Sequence, residues 1–160
     1  MKREKELVIV SHCILNQNSV VLPLARSRGA FPFVKEIIDS GVGIIQLKCP
    51  EFNFLGLSRE GMTKEEYDTK EYREICKSIA KDILAEALTY IKHGYKIKGI
   101  IGINESPTCS ITGNRGILME EVFNYFSENN IELKFLEVST SYEEENEDKE
   151  VIDNLNKMLS

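Results

Sequence analysis

Three cysteines, in "VSHC", "LKCPE" and "NESPTCS", stand just past short apolar runs at Cys13, Cys49 and Cys109. Thiolates are soft ligands suited to zinc, copper(I) or iron-sulfur clusters, and a thiolate is also a nucleophile. Glu51 follows Cys49 closely in "CPE", and Ser106 precedes Cys109 in "SPTC". A carboxylate beside a metal centre can serve as acid or base, and a neighbouring hydroxyl can relay a proton or hold a substrate heteroatom. Each residue alone has a plainer use. A cytosolic cysteine is most often a small buried hydrophobe, and a serine before proline is a turn former.

What singles out the three thiols is their shared position at predicted strand ends. "ELVIVSH" reads as a first strand buried on both faces. "VGIIQLKCPEF" supplies a second, which should end at Cys49 because Pro50 cannot continue a central ladder. "IKGIIGIN" is a third and "IELKFLEVS" a fourth. Helices are predicted in "FVKEIIDSG", from Thr69 to His93, in "GILMEEVFNYFSENN" and in "KEVIDNLNKML", with apolar residues recurring at helical spacing. "ILNQNSVVLPLARSRGAFPF" and "NFLGLSREGMTKEEYD" read as loops.

Alternating strands and helices predict a single α/β domain over residues 1–160, a three-layer Rossmann-like sandwich whose mainly parallel sheet has about four strands. In the order 2-1-3-4 the cysteine-bearing strands are neighbours, about 4.8 Å apart. Their carboxyl ends share the edge where open α/β sheets bind ligands. Three thiols could then converge on one object. Cys76, on the apolar stripe of the long helix, is read as core.

None of the cysteines forms a CxxC pair, so a closed structural zinc site is not indicated. His12 could complete a zinc site, but in a continuing strand its side chain would point away from Cys13. Three thiolates alone leave an open coordination position. The segment from Gly102 to Gly116 has neither a dinucleotide-binding nor a P-loop pattern. Backbone amides at the following helix start could still bind an anion.

The chain has 160 residues, 42% of them hydrophobic and 29% charged, with net charge −6. That composition fits a globular protein and offers no broad positive field for nucleic acid. The acidic run "EEENEDKE" reads as a solvated loop or helix start. "MKREKELVIV" is followed by no cleavage site, so it is not read as a signal peptide. No apolar stretch approaches the length of a membrane span. The expectation is a cytoplasmic protein with reduced thiols and no membrane or nucleic-acid partner.

"VSHC", "CPE", "LGLSREG" and "ESPTCS" together resemble the TudS family of thiouracil desulfidases, which carries SxC, CPE, GL-x-R and SPSCG motifs in this order. The resemblance reaches from the first strand to about Gly116. It implies a four-iron four-sulfur (4Fe-4S) cluster held by Cys13, Cys49 and Cys109, with Glu51 and Ser106 catalytic. The family's segment after its first cysteine, with a second cysteine, arginine, tyrosine and aspartate, appears here as "CILNQNSVVLP". Pocket residues from that segment are therefore not carried over. The expected activity is removal of sulfur from a small thiocarbonyl compound, such as a thiolated nucleobase, giving the oxo product and hydrosulfide. Two alternatives stand beside it: a metal-free hydrolase with a cysteine nucleophile, and a non-catalytic zinc or iron-sulfur module that senses redox state.

Overall fold

A computed structural model describes residues 1–144 and 149–160. The β-branched runs form four parallel strands, β1 (Glu6–Val10), β2 (Gly43–Gln46), β3 (Lys96–Ile103) and β4 (Phe135–Val138). Their order is β2-β1-β3-β4, as the alternation of elements predicts. The helices are α1 (His12–Leu15), α2 (Val34–Asp39), α3 (Pro50–Leu55), α4 (Lys64–Tyr67), α5 (Lys70–Lys92), α6 (Ile117–Glu128) and α7 (Lys149–Leu159).

Side chains alternate across a strand, and the alternation creates two cores. Leu7, Ile9, Ile45 and Ile100 pack with the buried residues of α5 and α6. Val8, Val10, Ile101, Leu136 and Val138 face the other way, against α2 and α7. The sheet is therefore the middle of three layers. Cys76 is fully buried in the first core, as its helical spacing predicts. Each exposed Leu or Ile methylene moved into these cores contributes on the order of 0.8 kcal/mol, which explains why both faces of β1 are apolar.

Chain direction across the sheet reverses between β1 and β3. The connection from β1 passes through α2 to β2 on one side, while β3 continues through α6 to β4 on the other. That arrangement opens a crevice at the strands' carboxyl ends.

The structure corrects several local expectations at this edge. β1 does not persist through His12, because α1 begins there. β2 closes at Gln46, before Cys49, and Pro50 starts α3, where a missing N–H removes no intrahelical bond. The segment read as the loop "NFLGLSREGMTKEEYD" contains the end of α3 and all of α4. The latter is started by a reciprocal Thr63–Glu66 capping box. Much of the acidic run lies outside the described residues. Of its flanks, Glu144 pairs with Arg28 at 3.2 Å and Glu150 lies in the first turn of α7.

Among the described residues, no helix is long and apolar enough to cross a membrane.

Candidate functional site

Cys13 lies in α1 directly after β1, Cys49 is the N-cap of α3 after β2, and Cys109 lies in the loop after β3. All three line one cavity of about 1100 Å³, together with Glu51 and Ser106. His12 lines it too. The alternation that would turn His12 away from Cys13 does not reach it, because β1 ends at Val10 and α1 begins at His12.

The loop carrying Cys109 is held from several sides. Ser106 Oγ accepts hydrogen bonds from the Thr108 and Cys109 amides at 3.2 and 3.0 Å. This is the turn-forming use, and it leaves the hydroxyl hydrogen available to the cavity. The first amides of α6 are also occupied. Gly116 N donates to Ser110 O at 2.8 Å, and Ile117 N to Pro107 O at 3.0 Å. These amides, which could have bound an anion, instead clamp the cysteine loop. Gly116 permits the contact, since a Cβ there would stand 2.2 Å from the Thr108 carbonyl carbon.

Glu137 on β4 ties down the loop's far end, accepting from the Ile111 and Thr112 amides at 3.0 and 3.1 Å and from the Thr112 hydroxyl. Burial opposes its ionisation, but these donors prevail and hold its pKa below the ordinary value. A carboxyl depressed in this way stabilises the fold above its ordinary pKa. The contribution is lost as pH falls through the native pKa. Glu137→Gln is expected to lower stability at neutral pH by about 1 kcal/mol, a figure reduced for solvent exposure. The gap from wild type should narrow towards about pH 3. Urea denaturation at both pH values checks this, and a pH-independent gap would count against it.

Glu51 accepts from two hydroxyls and faces one guanidinium. Tyr67 donates to Oε1 at 3.0 Å and Thr108 Oγ1 donates to Oε2 at 2.7 Å. Arg59 Nε stands 3.5 Å from Oε1, with its other nitrogens donating to Ser19 O and Gly56 O at 2.7 and 3.0 Å. Thr108 spends its only proton on Glu51, so Tyr72, 2.7 Å away, donates to Thr108. Burial first, and Glu51's charge after it, push the Tyr67 phenol pKa up; the Tyr72 phenol is raised chiefly by burial. Both remain donors at neutral pH. The carboxylate is thus the acceptor at the end of a Tyr72–Thr108 chain, beside the thiols.

Sequence reasoning missed Tyr67, Thr108 and Arg26, met Arg59 only as the arginine of the GL-x-R motif without a role, and gave Tyr72 to the core alone. A usable signal was present for Tyr72: a tyrosine on a buried stripe needs a partner for its hydroxyl.

The cysteines keep some exposed surface, yet burial is the largest influence on each sulfur. It pushes Cys13 up to about 12 and raises Cys49 and, most strongly, Cys109. The charges of the other thiols and of Glu51 push the same way on Cys13 and Cys109. The Phe52 amide, 3.4 Å from Cys49 Sγ, pulls the other way. Ser11 Oγ is fully buried with no partner at ordinary hydrogen-bond geometry, although it lies near enough to the Cys109 sulfur to oppose the effect of burial there.

Three soft donors round one cavity, a buried hydroxyl with bonding capacity to spare and an amide aimed at one sulfur fit a thiolate-held metal group. Among the described residues, no three His, Cys, Asp or Glu side chains stand close enough to ligate a single ion. A lone zinc with Zn–S of about 2.3 Å needs sulfurs about 3.8 Å apart. A polynuclear group spans a wider triangle. Three cysteines are a donor set of the kind that holds an iron-sulfur cluster.

The chain is 54% identical over 134 residues to "Uncharacterized protein MJ0003" of Methanocaldococcus jannaschii, a match covering 83% of this chain and 85% of the other. No family model matches the chain. No solved structure matches it either.

Proposed function

We propose that this chain, which belongs to the family of the uncharacterised protein MJ0003, is an iron-sulfur-dependent desulfidase acting on a small thiocarbonyl compound. The observation that carries the reading is the convergence of Cys13, Cys49 and Cys109 from three strand ends on one cavity that also holds Glu51 and Ser106. The TudS-like motifs supply the reaction class.

A 4Fe-4S cluster held by the three cysteines would supply an iron without a protein ligand, a Lewis acid for the substrate's sulfur. The chain's own residues supply the rest. Glu51, fixed by Tyr67, Thr108 and Arg59, takes a proton from the attacking water. Ser106 donates its unused hydroxyl hydrogen to the substrate heteroatom beside the reacting carbon. Water adds to that carbon, the C–S bond breaks, and the products are the oxo compound and hydrosulfide. No oxidant or reductant is consumed.

Two observations weigh against the alternatives. Raised thiol pKa values leave little thiolate for a metal-free cysteine nucleophile. A roomy cavity with an oriented carboxylate is more than a redox-sensing metal module requires.

The test is anaerobic reconstitution followed by incubation with 2-thiouracil, simple thioamides and an aryl thioamide that carries a carboxylate. Iron and sulfide near about four each per chain are expected, with free sulfide and the oxo product released from at least one compound. Protein that takes up no cluster, or a loaded protein inert to the whole panel, would overturn the reading.

A further inference from the structure

Three arginines line the cavity, and two have carboxylate partners: Arg59 has Glu51 and Arg28 has Glu144. Arg26 differs. Among the described residues no carboxylate stands within ion-pair distance of it, and its guanidinium is held by main-chain carbonyls alone. Nη1 donates to Val138 O and Ser139 O, both at 3.2 Å, and Nη2 to Asn104 O at 3.3 Å. These carbonyls lie at the ends of β3 and β4, so the charge is fixed at the sheet edge that carries the site.

The Arg26 backbone is fixed as well. Its amide donates to Gln17 Oε1 at 2.8 Å, and Gln17 Nε2 donates to Cys13 O at 3.0 Å. One buried glutamine therefore sets the distance between Arg26 and the first cysteine's backbone. The charged or titratable groups whose fields reach the guanidinium are Cys13 and Glu105.

A guanidinium has five N–H donors. Three are used, leaving the Nε hydrogen and one Nη2 hydrogen without a protein acceptor among the described residues. A half-buried cation with donors left on adjacent nitrogens is suited to a planar anion, which can accept both. Neutral nucleobases present no such group.

We infer that Arg26 is a recognition residue for a carboxylate on the compound this cavity binds, so that the substrate is an anionic sulfur compound. The sulfur in that statement rests on the desulfidase reading; the carboxylate rests on Arg26. Arg59 and Arg28 do not compete for it, because their charges are already matched.

Benzoate and benzamide, alike in size and different in charge, provide the test. Their binding to anaerobically reconstituted protein would be measured by calorimetric or NMR titration for wild type, Arg26→Gln and Arg26→Lys. Wild type should favour benzoate by at least about tenfold, and added salt should reduce the preference. Arg26→Gln should abolish it, and Arg26→Lys, which keeps charge without the fork, should retain only part. Because Arg26 also ties strand ends together, Arg26→Lys decides the matter if the glutamine variant fails to fold. Equal binding of both probes by wild type, or an undiminished preference in the folded variants, would overturn the inference. An Arg26-dependent preference in a protein that releases no sulfide from any thiocarbonyl compound would overturn the desulfidase reading and leave this one standing. Sulfide release without any preference for benzoate would do the reverse.

Discussion

Cys109→Ser protein is expected to leave anaerobic reconstitution with iron and sulfide reduced at least about tenfold from wild type, because cluster ligation depends on thiolate sulfur. Cys13→Ser and Cys49→Ser should behave alike, and Cys76→Ala should load fully. The contrast follows from position. Cys76 is sealed in the core between α5 and the sheet, so its removal leaves a small void worth on the order of 1 kcal/mol and nothing at the cavity. The other three enter the cavity from separate elements, and losing one leaves too few thiolates to hold a cluster with an open iron.

Folding should survive the Cys109 change. The loop is anchored without its sulfur, through Ser106 Oγ, the first amides of α6 and the Glu137 carboxylate. Unchanged circular dichroism beside a lost iron-sulfur absorbance would therefore place the effect at the metal group. Full iron retention in Cys109→Ser, or loss in Cys76→Ala, would contradict the assignment.

The sheet was legible because β-branched runs and their punctuation are local signals. Apolar segments of strand length alternate with helical spacing, and that alternation leads to parallel topology and hence to one shared edge. Cys13, Cys49 and Cys109 could be grouped for the same reason. What lay beyond the sequence was set by contacts between distant segments. Pro50 was rightly kept out of β2, which closes earlier, at Gln46, but only the structure shows it opening α3 with Cys49 as cap. For His12 the alternation argument lost its premise, since β1 closes at Val10 and a helical turn follows Ser11.

The Glu51 partners illustrate the same limit. Tyr67, Tyr72 and Thr108 belong to α4, α5 and the β3–α6 loop, and no spacing rule links them to a carboxylate in α3. Arg26 sits in a stretch with no motif at all. Its place in the cavity comes from hydrogen bonds to strand ends more than seventy residues away in the chain.

Glu51→Gln should separate chemistry from assembly. The rate of sulfide release per loaded cluster is expected to fall by about 10²–10⁴-fold, the usual range for losing a general base, while iron content stays at the wild-type level. Glutamine matches glutamate in shape, but its NH₂ group is a donor. Every partner of Glu51 is also a donor: Tyr67 on one oxygen, Thr108 on the other, Arg59 close to the first. With its NH₂ towards Arg59 the amide sets donor against donor, and turned the other way it makes the Thr108 hydroxyl accept where it had donated, so the substitution removes the base and rearranges part of its support. Thr108→Val resolves the two effects. It cuts the Tyr72 chain from the carboxylate yet keeps Glu51 itself, and a loss nearer about tenfold is expected from one hydrogen bond to a charged group. If Glu51→Gln lost no more activity than Thr108→Val, Glu51 would act by holding the site together. A much larger loss with the cluster intact would leave proton transfer as its role.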